Sequence, residues 1–373
     1  MLSSIDIDHL EAIARAVRSE CLRMTTRAGS GHPTSSLSAA DLMTALFFGG
    51  VFRFDPRVPA HPNNDRLIFS KGHASPLFYA LWHAAGAVSD EELKHYRELG
   101  SPLEGHPVPT FPFAEAATGS LGQGLSIGLG MALNGRQLAR LPYRVYVLLG
   151  DSEMSEGSQW EAIQLAAHYR LGNLIGIIDV NGLGQSGPTM VGFDVETYAA
   201  RIESFGWNTI TIDGHDMDQI LHAFAEAAAN EDQPTMIVAR TIKGKGVAFL
   251  EGKEGWHGKA LDEKELKRAL DGLGPVDESL RGTIETPEDV RPPNDKATEA
   301  ELPFYKLGDK LPTRKAYGDA LKSIGGAFPS VVALDAEVSN STKAETFEEA
   351  FPNRFFEMYI AEQNMVGVAL GLA

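Results

Sequence analysis

The 373-residue sequence contains a single cysteine, Cys21, so it can form no intrachain disulfide and no zinc site built on several thiolates. It also lacks a long apolar run, since stretches such as residues 145–149 are far too short to cross a bilayer. Its first residues include Asp6, Asp8 and Glu11 and have neither the basic segment nor the apolar run of a secretory signal. These absences predict a soluble chain, which we expect to be cytoplasmic and to have no membrane partner.

Positive charge is also scarce, since 33 lysine and arginine residues stand against 50 acidic residues and give a net charge of −17. A chain this acidic repels a phosphate backbone, so we expect no nucleic-acid partner. Hydrophobic residues make up 43% of the sequence, which is enough for a sizeable core and excludes disorder over most of the length. At about 150 residues per domain, the length predicts two packed units or one large unit with an appendage.

Short apolar segments alternate with amphipathic helical segments through the first 272 residues. We predict strands at 67–70, 145–149, 174–179, 209–212 and 235–239, and helices at 10–28, 38–48, 159–168 and 217–229. Ser38 is the expected N-cap of the second helix. The alternation indicates an α/β fold with a parallel sheet flanked by helices. Ligands of such sheets bind at the carboxyl ends of the strands.

The character of the sequence changes between residues 273 and 312, where six of the 20 prolines occur among acidic residues. We predict a first domain over 1–272, an extended linker over 273–312 and the start of a second, similar α/β domain over 313–373. That second unit is expected to contain helices at 315–328 and 346–351, strands at 331–335 and 355–360, and an apolar helix over 364–373. These few helices and strands do not easily enclose a hydrophobic core. We therefore expect either a fragment or a unit completed by another chain.

Four of the 11 histidines directly follow glycine, namely His32, His73, His106 and His215. Glycine allows sharp turns and close approach of a ligand, so histidines on such loops point into clefts more readily than histidines on helices. For a single histidine of this kind, capping a turn or filling the core is the more common role. The recurrence favours a ligand-facing role for the set.

Two polar residues follow neighbouring predicted strands at an interval of about one crossover unit. Asp151 comes after strand 145–149, and Asn181 comes 30 residues later, after strand 174–179. Parallel strands place both at one sheet edge, where a carboxylate and an amide oxygen could form half of an octahedral magnesium site. The alternative is that Asp151 caps the following helix and Asn181 occupies a turn.

Two glycine-rich loops also permit more than one interpretation. The run 119–128 contains a loose dinucleotide-type pattern, but no apolar strand precedes it, so close packing of a small-residue helix is the preferred alternative. Lys243 and Lys245 lie beside glycines just after strand 235–239, where they suit a phosphate or remain solvated. From these patterns, the lysine loop is the candidate phosphate contact.

Glu362 stands between strand 355–360 and an apolar helix, where a carboxylate is unexpected. Burial there would favour its protonated form and let it donate or share a proton. The alternative is an exposed helix N-terminal carboxylate, stabilised by the helix dipole.

Taken together, these segments resemble transketolases of the shorter type found in animals and some bacteria. The matching segments occur in family order at 28–35, 70–74, 103–107, 117–124, 150–160, 181–186, 256–259, 313–318 and 360–365. A thiamine-dependent synthase of deoxyxylulose phosphate, the next candidate family, lacks the pairing of segments 29–33 and 119–123 seen in this sequence.

The resemblance implies thiamine diphosphate and a divalent cation, Mg²⁺ or Ca²⁺, as cofactors. Asp151, Asn181 and the carbonyl of Leu183 would ligate the metal. The residues implied to bind the cofactor are Ser35, His73, Gly119, Ser120, Leu121, Gly150, Ser152, Glu153, Asn181, Lys243 and His257.

The resemblance also implies the reaction, in which a two-carbon ketol unit passes from a ketose phosphate such as xylulose 5-phosphate to an aldose phosphate such as ribose 5-phosphate. This is a step of the pentose phosphate pathway. Arg314 and Ser341 would bind the sugar phosphate, and Glu362 would hydrogen-bond the aminopyrimidine of the cofactor held by a partner subunit, as in a dimer. The implied catalytic residues are Glu362, His32, His73, His106 and His257, of which His32 and His257 also bind substrate. A silent thiamine-binding module and a related ketol transferase remain alternatives.

Two features depart from the family pattern. Ser152 stands where the family usually has glycine, so we expect its side chain to crowd the diphosphate, to shift the turn or to assist binding through its hydroxyl. The sequence also corresponds to only about three-fifths of a family member. We therefore expect a second chain, or a missing part, to supply the rest of the pyrimidine-binding domain and a C-terminal domain.

Overall fold

A computed structural model of the chain describes residues 6–293 and 296–373. The first five residues of the predicted first domain and two residues of the predicted linker, 294 and 295, lie outside the described residues.

A five-stranded parallel sheet forms the centre of the first unit, with the strand order β1-β2-β3-β5-β4. The strands are β1 (Arg66–Phe69), β2 (Val145–Gly150), β3 (Leu174–Val180), β4 (Asn208–Asp213) and β5 (Thr235–Arg240). The predicted parallel α/β sheet is confirmed, and each predicted strand is found to within one residue at either end. All seven residues of β3 are buried, because helices cover both faces of the sheet.

Helices pack on both faces of this sheet. In chain order they are α1 (Ile7–Ala28), α2 (Pro33–Ser38), α3 (Ala40–Phe48), α4 (Ser75–Ala84), α5 (Asp90–Leu93), α6 (Gly124–Leu133), α7 (Gly157–His168), α8 (Val195–Glu203), α9 (Met217–Ala229) and α10 (Glu263–Leu273). Alternate residues of β2 enter different apolar clusters, with Tyr146 and Leu148 in one and Val145, Val147 and Leu149 in the other. Because successive side chains of a strand point to opposite faces, the sheet contributes to one apolar core on each face.

The predicted helix over 38–48 is found as α3, but it starts two residues later than predicted and its predicted N-cap is wrong, because a separate helix, α2, precedes it. Pro33 begins α2, as its fixed φ suits a first helical position. Ser38 ends α2 and does not cap α3, which starts after Ala39. The Ser38 hydroxyl instead lies 2.6 Å from Asp179 Oδ2, a buried partner far along the chain.

The predicted linker carries no helix or strand among its described residues between α10 and the helix that begins at Thr313. It runs over the first unit, where the Glu285 carbonyl accepts from Phe54 N at 2.7 Å and the Glu288 carbonyl accepts from Asn63 Nδ2 at 2.9 Å. The exact domain boundaries stay a prediction.

The second unit is small. It contains the parallel strands β6 (Ala333–Asp335) and β7 (Phe355–Glu357), with α11 (Thr313–Ala327), α12 (Ser339–Thr342), α13 (Glu345–Ala350) and α14 (Glu362–Leu372). The strands are shorter than predicted, although both occur in the expected places.

Helix α14 packs closely on α6 of the first unit. A Cβ added to Gly371 would lie 2.0 Å from the Ile127 carbonyl oxygen, and one added to Gly130 would lie 2.2 Å from the Val368 carbonyl oxygen. The glycines of α6 thus serve close helix packing, which was the preferred alternative to a dinucleotide site. The opposite side of α14 keeps Val366 68% exposed and Leu370 57% exposed. Among the described residues, no helix has the length and apolar character that a bilayer crossing needs.

Candidate functional site

Polar side chains converge at the carboxyl ends of β1, β2, β3 and β5. Lys71 follows β1, Asp151 follows β2, Asn181 follows β3 and Lys243 follows β5, and all four are buried. Buried charges at one sheet edge are costly unless they are paired or bind a ligand, so this edge is the candidate site.

Asp179, the sixth residue of β3, organises the floor of the site. Its carboxylate accepts from Ser38 Oγ at 2.6 Å and Asn181 Nδ2 at 3.2 Å, and also from Lys71 Nζ and Thr241 Oγ1. Burial opposes ionisation, yet the Lys71 ammonium and these hydrogen bonds hold the pKa of Asp179 below its ordinary value. This group of five residues, the Asp179 cluster, joins the end of α2 and the segments that follow β1 and β5 to β3.

Asp151 lies next to this cluster with fewer compensating contacts. Its Oδ2 accepts from Gly182 N at 2.7 Å and from Thr189 Oγ1 at 3.3 Å, and its Oδ1 accepts from Ser152 N. Burial and the nearby charge of Asp179 raise the pKa of Asp151 to about 6. A cation beside this carboxylate would compensate both causes of the shift.

The three predicted metal ligands supply a carboxylate, an amide oxygen and a backbone carbonyl, which is an oxygen donor set suited to Mg²⁺ or Ca²⁺. Asn181 Nδ2 donates to Asp179, so Asn181 Oδ1 is the atom left to face the loop, where it accepts from Leu183 N at 3.2 Å. Lys243 Nζ contacts the Leu183 carbonyl at 2.7 Å, so a positive group already lies against one predicted ligand. Within the described residues, no cluster of three His, Cys, Asp or Glu side chains could hold a metal. A cation at this edge would therefore be held by the Asp151 carboxylate, the Asn181 amide oxygen and the Leu183 carbonyl together.

Glu153 is buried and fixes the glycine loop that precedes α6. Its carboxylate accepts from Ser70 Oγ at 2.5 Å, Gly122 N at 2.9 Å and Gly150 N at 3.0 Å. Burial raises the pKa of Glu153 above its ordinary value. The predicted cofactor contact is thus fully engaged within the chain, where it holds the ends of β1 and β2 against this loop.

The glycine loop itself comes close to the imidazoles. Gly119 has φ +132°, and a Cβ there would lie 2.8 Å from His106 Cδ2, so only glycine fits. Ser120 is exposed and Leu121 is half-buried in the same loop.

Four histidines form one cluster, the imidazole cluster, defined by His32, His73, His106 and His257. The ring centroid of His32 lies 5.2 Å from that of His73, 5.1 Å from that of His257 and 6.4 Å from that of His106. The ring centroids of His73 and His257 lie 5.0 Å apart. The predicted ligand-facing group therefore gathers three of the four glycine-following histidines together with His257.

These imidazoles are neutral at neutral pH. Burial and the neighbouring His106 lower the pKa of His32 to about 4, and burial and the Lys243 ammonium lower the pKa of His257 to about 3. Burial also lowers the pKa of His73 and of His106. A neutral imidazole can both accept and donate a proton, so the cluster can exchange protons with hydroxyl groups of a ligand.

Lys243 connects the imidazole cluster to the predicted metal ligands. Its Nζ contacts His257 Nδ1 at 2.8 Å and the carbonyls of Leu183 and Gly184 at 2.7 and 3.2 Å. Burial lowers the pKa of Lys243 to about 8. Lys245, the other lysine of this loop, is only half-buried.

His215, the fourth glycine-following histidine, supports the Lys243 loop and does not join the cluster. Its Nδ1 lies 2.8 Å from Asp41 Oδ2, and its Nε2 accepts from Ile242 N at 2.9 Å. Asp41 is in turn held by both terminal nitrogens of Arg18, at 2.8 and 2.6 Å. This chain of contacts fixes the backbone immediately before Lys243.

Ser35 and Ser152 lie at the periphery of the site. Ser35 is buried in α2, and its carbonyl accepts from Lys71 Nζ at 3.2 Å. Ser152 is exposed in the 3₁₀ turn Ser152–Ser155 and does not have a left-handed φ. The expected distortion from serine at this position is therefore absent from the backbone.

The predicted residues of the second unit lie around another cavity of about 600 Å³, whose lining includes Arg314, Asp335 and Glu362. Glu362 is the exposed first residue of α14, so the prediction of a buried carboxylate is wrong and the helix N-terminal alternative holds. Ser341 is exposed on α12, beside the cavity-lining Thr342. The structure brings the imidazole cluster and the predicted metal ligands to one edge of the first sheet, whereas Glu362 and Arg314 line the cavity of the second unit.

Sequence reasoning did not predict the roles of Asp179, Thr241 or Arg97. The Arg97 guanidinium packs on Gly105, where a Cβ would lie 2.8 Å from Arg97 Cζ. Its charge adds to the effect of burial in lowering the pKa of His106. The only signal in the sequence was the proximity of Arg97 to segment 103–107.

Two family models match the chain. The model described as "Transketolase, thiamine diphosphate binding domain" covers residues 10–299, and that described as "Transketolase, pyrimidine binding domain" covers residues 309–373.

Similar proteins agree with these models. Transketolase of Homo sapiens is 45% identical over 367 residues, which are 98% of this chain and 58% of the human protein. Transketolase-like protein 2 of Bos taurus is 44% identical over 375 residues, or 100% of this chain and 60% of that protein.

Solved structures give the same result. Transketolase from Campylobacter jejuni has a TM-score of 0.87 at 29% identity, over 99% of this chain and 63% of its own. A Pichia stipitis transketolase in complex with sedoheptulose 7-phosphate has a TM-score of 0.84 at 28% identity, over 98% of this chain and 62% of its own. The chain thus spans about three-fifths of the length of these proteins. On the domain models and on this similarity over nearly all of its length, the chain belongs to the transketolase family.

Proposed function

We propose that this chain carries the cofactor-binding part of a transketolase, which moves a two-carbon ketol unit from a ketose phosphate to an aldose phosphate. The observation that carries the proposal is the meeting of neutral imidazoles and an oxygen donor set at one edge of the sheet. Because the chain spans 58% of the human relative, the remaining part of the enzyme comes from a further polypeptide segment or a second chain. The cytoplasmic location and the place in the pentose phosphate pathway belong to the same proposal.

Asp151, Asn181 and the Leu183 carbonyl would hold Mg²⁺ or Ca²⁺, and the cation would hold the diphosphate of thiamine diphosphate. Lys243, the loop Gly119–Leu121 and the residues Ser35, His73, Gly150, Ser152, Glu153 and His257 would surround it. The donor set supports this assignment, as does the raised pKa of Asp151, which indicates a carboxylate short of positive charge. Thiamine diphosphate, when bound, supplies the electron sink for carbon–carbon bond cleavage.

The imidazole cluster would bind the sugar hydroxyls. Neutral His32 and His257 can orient these groups and take up a hydroxyl proton, while His73 and His106 complete the polar wall. The lowered pKa values support this role, since an already protonated imidazole could not accept a proton. Arg314 and Ser341 would bind the substrate phosphate, since a guanidinium suits a phosphate dianion.

Glu362 would hold or move a proton at the aminopyrimidine of cofactor bound in a partner subunit. Its exposure at the start of α14 supports contact with another chain, and so do the exposed apolar residues Val366 and Leu370 nearby. The proposed assembly is a homodimer, or a higher assembly that includes the completing chain.

A thiamine-binding module without turnover is the second candidate function. It would use the same cofactor-binding residues of the first unit, and it differs in showing no turnover when the rest of the enzyme is present. A third candidate function is that of a related ketol transferase that uses another ketol donor.

Ketol transfer from xylulose 5-phosphate to ribose 5-phosphate distinguishes these candidates. We expect turnover when the chain is joined to, or mixed with, the missing part of the enzyme, and loss of turnover in Glu362→Gln with cofactor binding retained. Glu348→Gln, an exposed carboxylate on α13, is the matched control and should remain active. Cofactor binding without turnover in the completed enzyme would instead establish the silent module.

A further inference from the structure

A second charged cavity lies at the opposite end of the sheet from the candidate site. It is a cleft of about 470 Å³ whose lining includes Arg53, Arg136, Arg140, Arg144 and Glu231. The segments that form it lie before β2, before β3 and before β5, so the cleft opens at the amino ends of the strands. We call it the arginine cleft.

An irregular turn brings two of these arginines to the cleft. Helix α6 runs into one turn of π-helix, Asn134–Ala139, and Arg140 ends it with φ +53°. Leu141 N donates to the Gly135 carbonyl at 2.9 Å and closes the turn. π-Helical turns are rare in proteins and are frequent at functional sites.

Backbone carbonyls hold three of the guanidinium groups in place. Arg53 donates to the Pro142 carbonyl at 2.8 Å, Arg136 to the Glu231 carbonyl at 2.9 Å and Arg144 to the Ala228 carbonyl at 2.8 Å. A carbonyl orients a guanidinium without cancelling its charge. These groups therefore keep their positive charge at the cleft.

Few carboxylates balance that charge. Arg53 pairs with the buried Asp65 at 3.2 Å, and Glu231 is the acidic residue in the lining. Four guanidiniums against two carboxylates leave two positive charges, in a chain whose net charge is −17. The Arg53 Nε is buried without a partner. Throughout the part of the chain that the structure describes, no protein group accepts a hydrogen bond from the Arg140 side chain.

We propose that the arginine cleft binds a small phosphate-bearing anion, such as a sugar phosphate or pyrophosphate. Guanidinium groups bind phosphate oxygens in pairs, and clefts of one charge sign concentrate oppositely charged ligands. The volume suits a small metabolite and is too small for a macromolecule. This site is separate from the catalytic edge and does not depend on the proposed function.

A bound phosphate should protect the cleft arginines from modification by a dicarbonyl reagent. Mass spectrometry of the peptides then shows which arginines are protected. The chain is treated with the reagent in the presence and in the absence of ribose 5-phosphate or inorganic pyrophosphate, with no other phosphate compound in the solution. We expect both phosphates to protect Arg136 and Arg140, and not Arg201, an exposed arginine on α8. Protection by only one of them would still support the site and would identify the source of the phosphate.

The variant Arg136→Gln/Arg140→Gln gives the second measurement. We expect its affinity for the protecting phosphate, measured by calorimetry, to fall at least about tenfold. Arg201→Gln is the matched control and should bind as the unaltered chain does. Equal protection of Arg201 and the cleft arginines, no protection at all, or unchanged affinity in the double variant would overturn the proposal.

Discussion

The two units of this chain differ in how many charged groups they bury. In the first unit, Lys71 and Asp179 form an ion pair that is almost fully buried between sheet and helices. In the second unit, the exposed Lys315 pairs with the half-buried Asp319 one helical turn away, and Glu362 is exposed. Among the described residues, the first unit buries a cluster of charged groups, whereas the second unit buries one carboxylate, Asp335. The buried charged cluster of the described residues therefore lies in the first unit.

The largest effect is expected from breaking the buried pair. Lys71→Met leaves the Asp179 carboxylate without its cation in the interior, so we expect the free energy of unfolding to fall by about 3 to 5 kcal/mol. Denaturant unfolding measures this. Lys315→Met in the second unit is the matched control and should leave the midpoint unchanged, because exposed pairs contribute little. Similar losses in the two variants would contradict the comparison.

The acid sensitivity of the fold is expected to come from the first unit. All 11 histidines lie at or before residue 257, so the second unit has none. Burial lowers the pKa of His32 to about 4 and that of His257 to about 3, from the ordinary value of 6.5.

Between pH 6.5 and 4 the unfolded chain binds protons that the folded chain does not, so the stability from these groups, present above pH 6.5, is lost as the pH falls. We expect unfolding free energies measured over this range to fall less steeply in His32→Asn/His257→Asn. His222→Asn, an exposed histidine on α9, is the control. An unchanged slope in the double variant would contradict this assignment.

A smaller effect is expected at His215, which supports the Lys243 loop without belonging to the imidazole cluster. His215→Phe removes the acceptor for Ile242 N and the partner of Asp41. We expect affinity for thiamine diphosphate to fall on the order of tenfold, as for residues that orient a ligand-binding group. Calorimetry measures this, and amide exchange at Ile242 and Lys243 should quicken. Normal exchange at these amides would show that His215 does not position the loop.

The smallest effect on the isolated fold is expected on the exposed side of α14. Val366→Ser/Leu370→Ser changes residues that are 68% and 57% exposed, so the unfolding midpoint should barely move. Self-association, or association with the completing chain, should weaken, as sedimentation would show. Val368→Ser, at a buried position of the same helix, is the contrasting variant and should lower stability. Unaltered association in the exposed double variant would remove this face from the proposed interface.

The elements of the first unit could be predicted well because their signals are local. Continuous apolar runs marked β2, β3 and β5, and Gly29, in the left-handed region at φ +60°, marked the end of α1. The helix boundary at Ser38 could not be predicted, because its hydroxyl binds Asp179, 141 residues away. Local capping rules do not include such a partner.

The candidate site was predictable to the extent that its residues end strands or follow glycines. Asp151, Asn181 and His73 were found in this way. Lys71 and Asp179 are 108 residues apart, and their pairing depends on which strands become neighbours. Glu362 was wrongly expected to be buried, because an apolar helix pattern does not say which side of the helix packs on the rest of the protein.

The central claim is that the first unit binds thiamine diphosphate through a cation held at Asp151 and Asn181. The most direct test is calorimetric titration of the chain with thiamine diphosphate, with and without Mg²⁺, in the unaltered chain, Asp151→Ala and Glu362→Gln. We predict binding that requires Mg²⁺, falls on the order of 100-fold or more in Asp151→Ala and persists in Glu362→Gln. Equal binding by the chain and Asp151→Ala, or binding independent of the cation, would contradict the account.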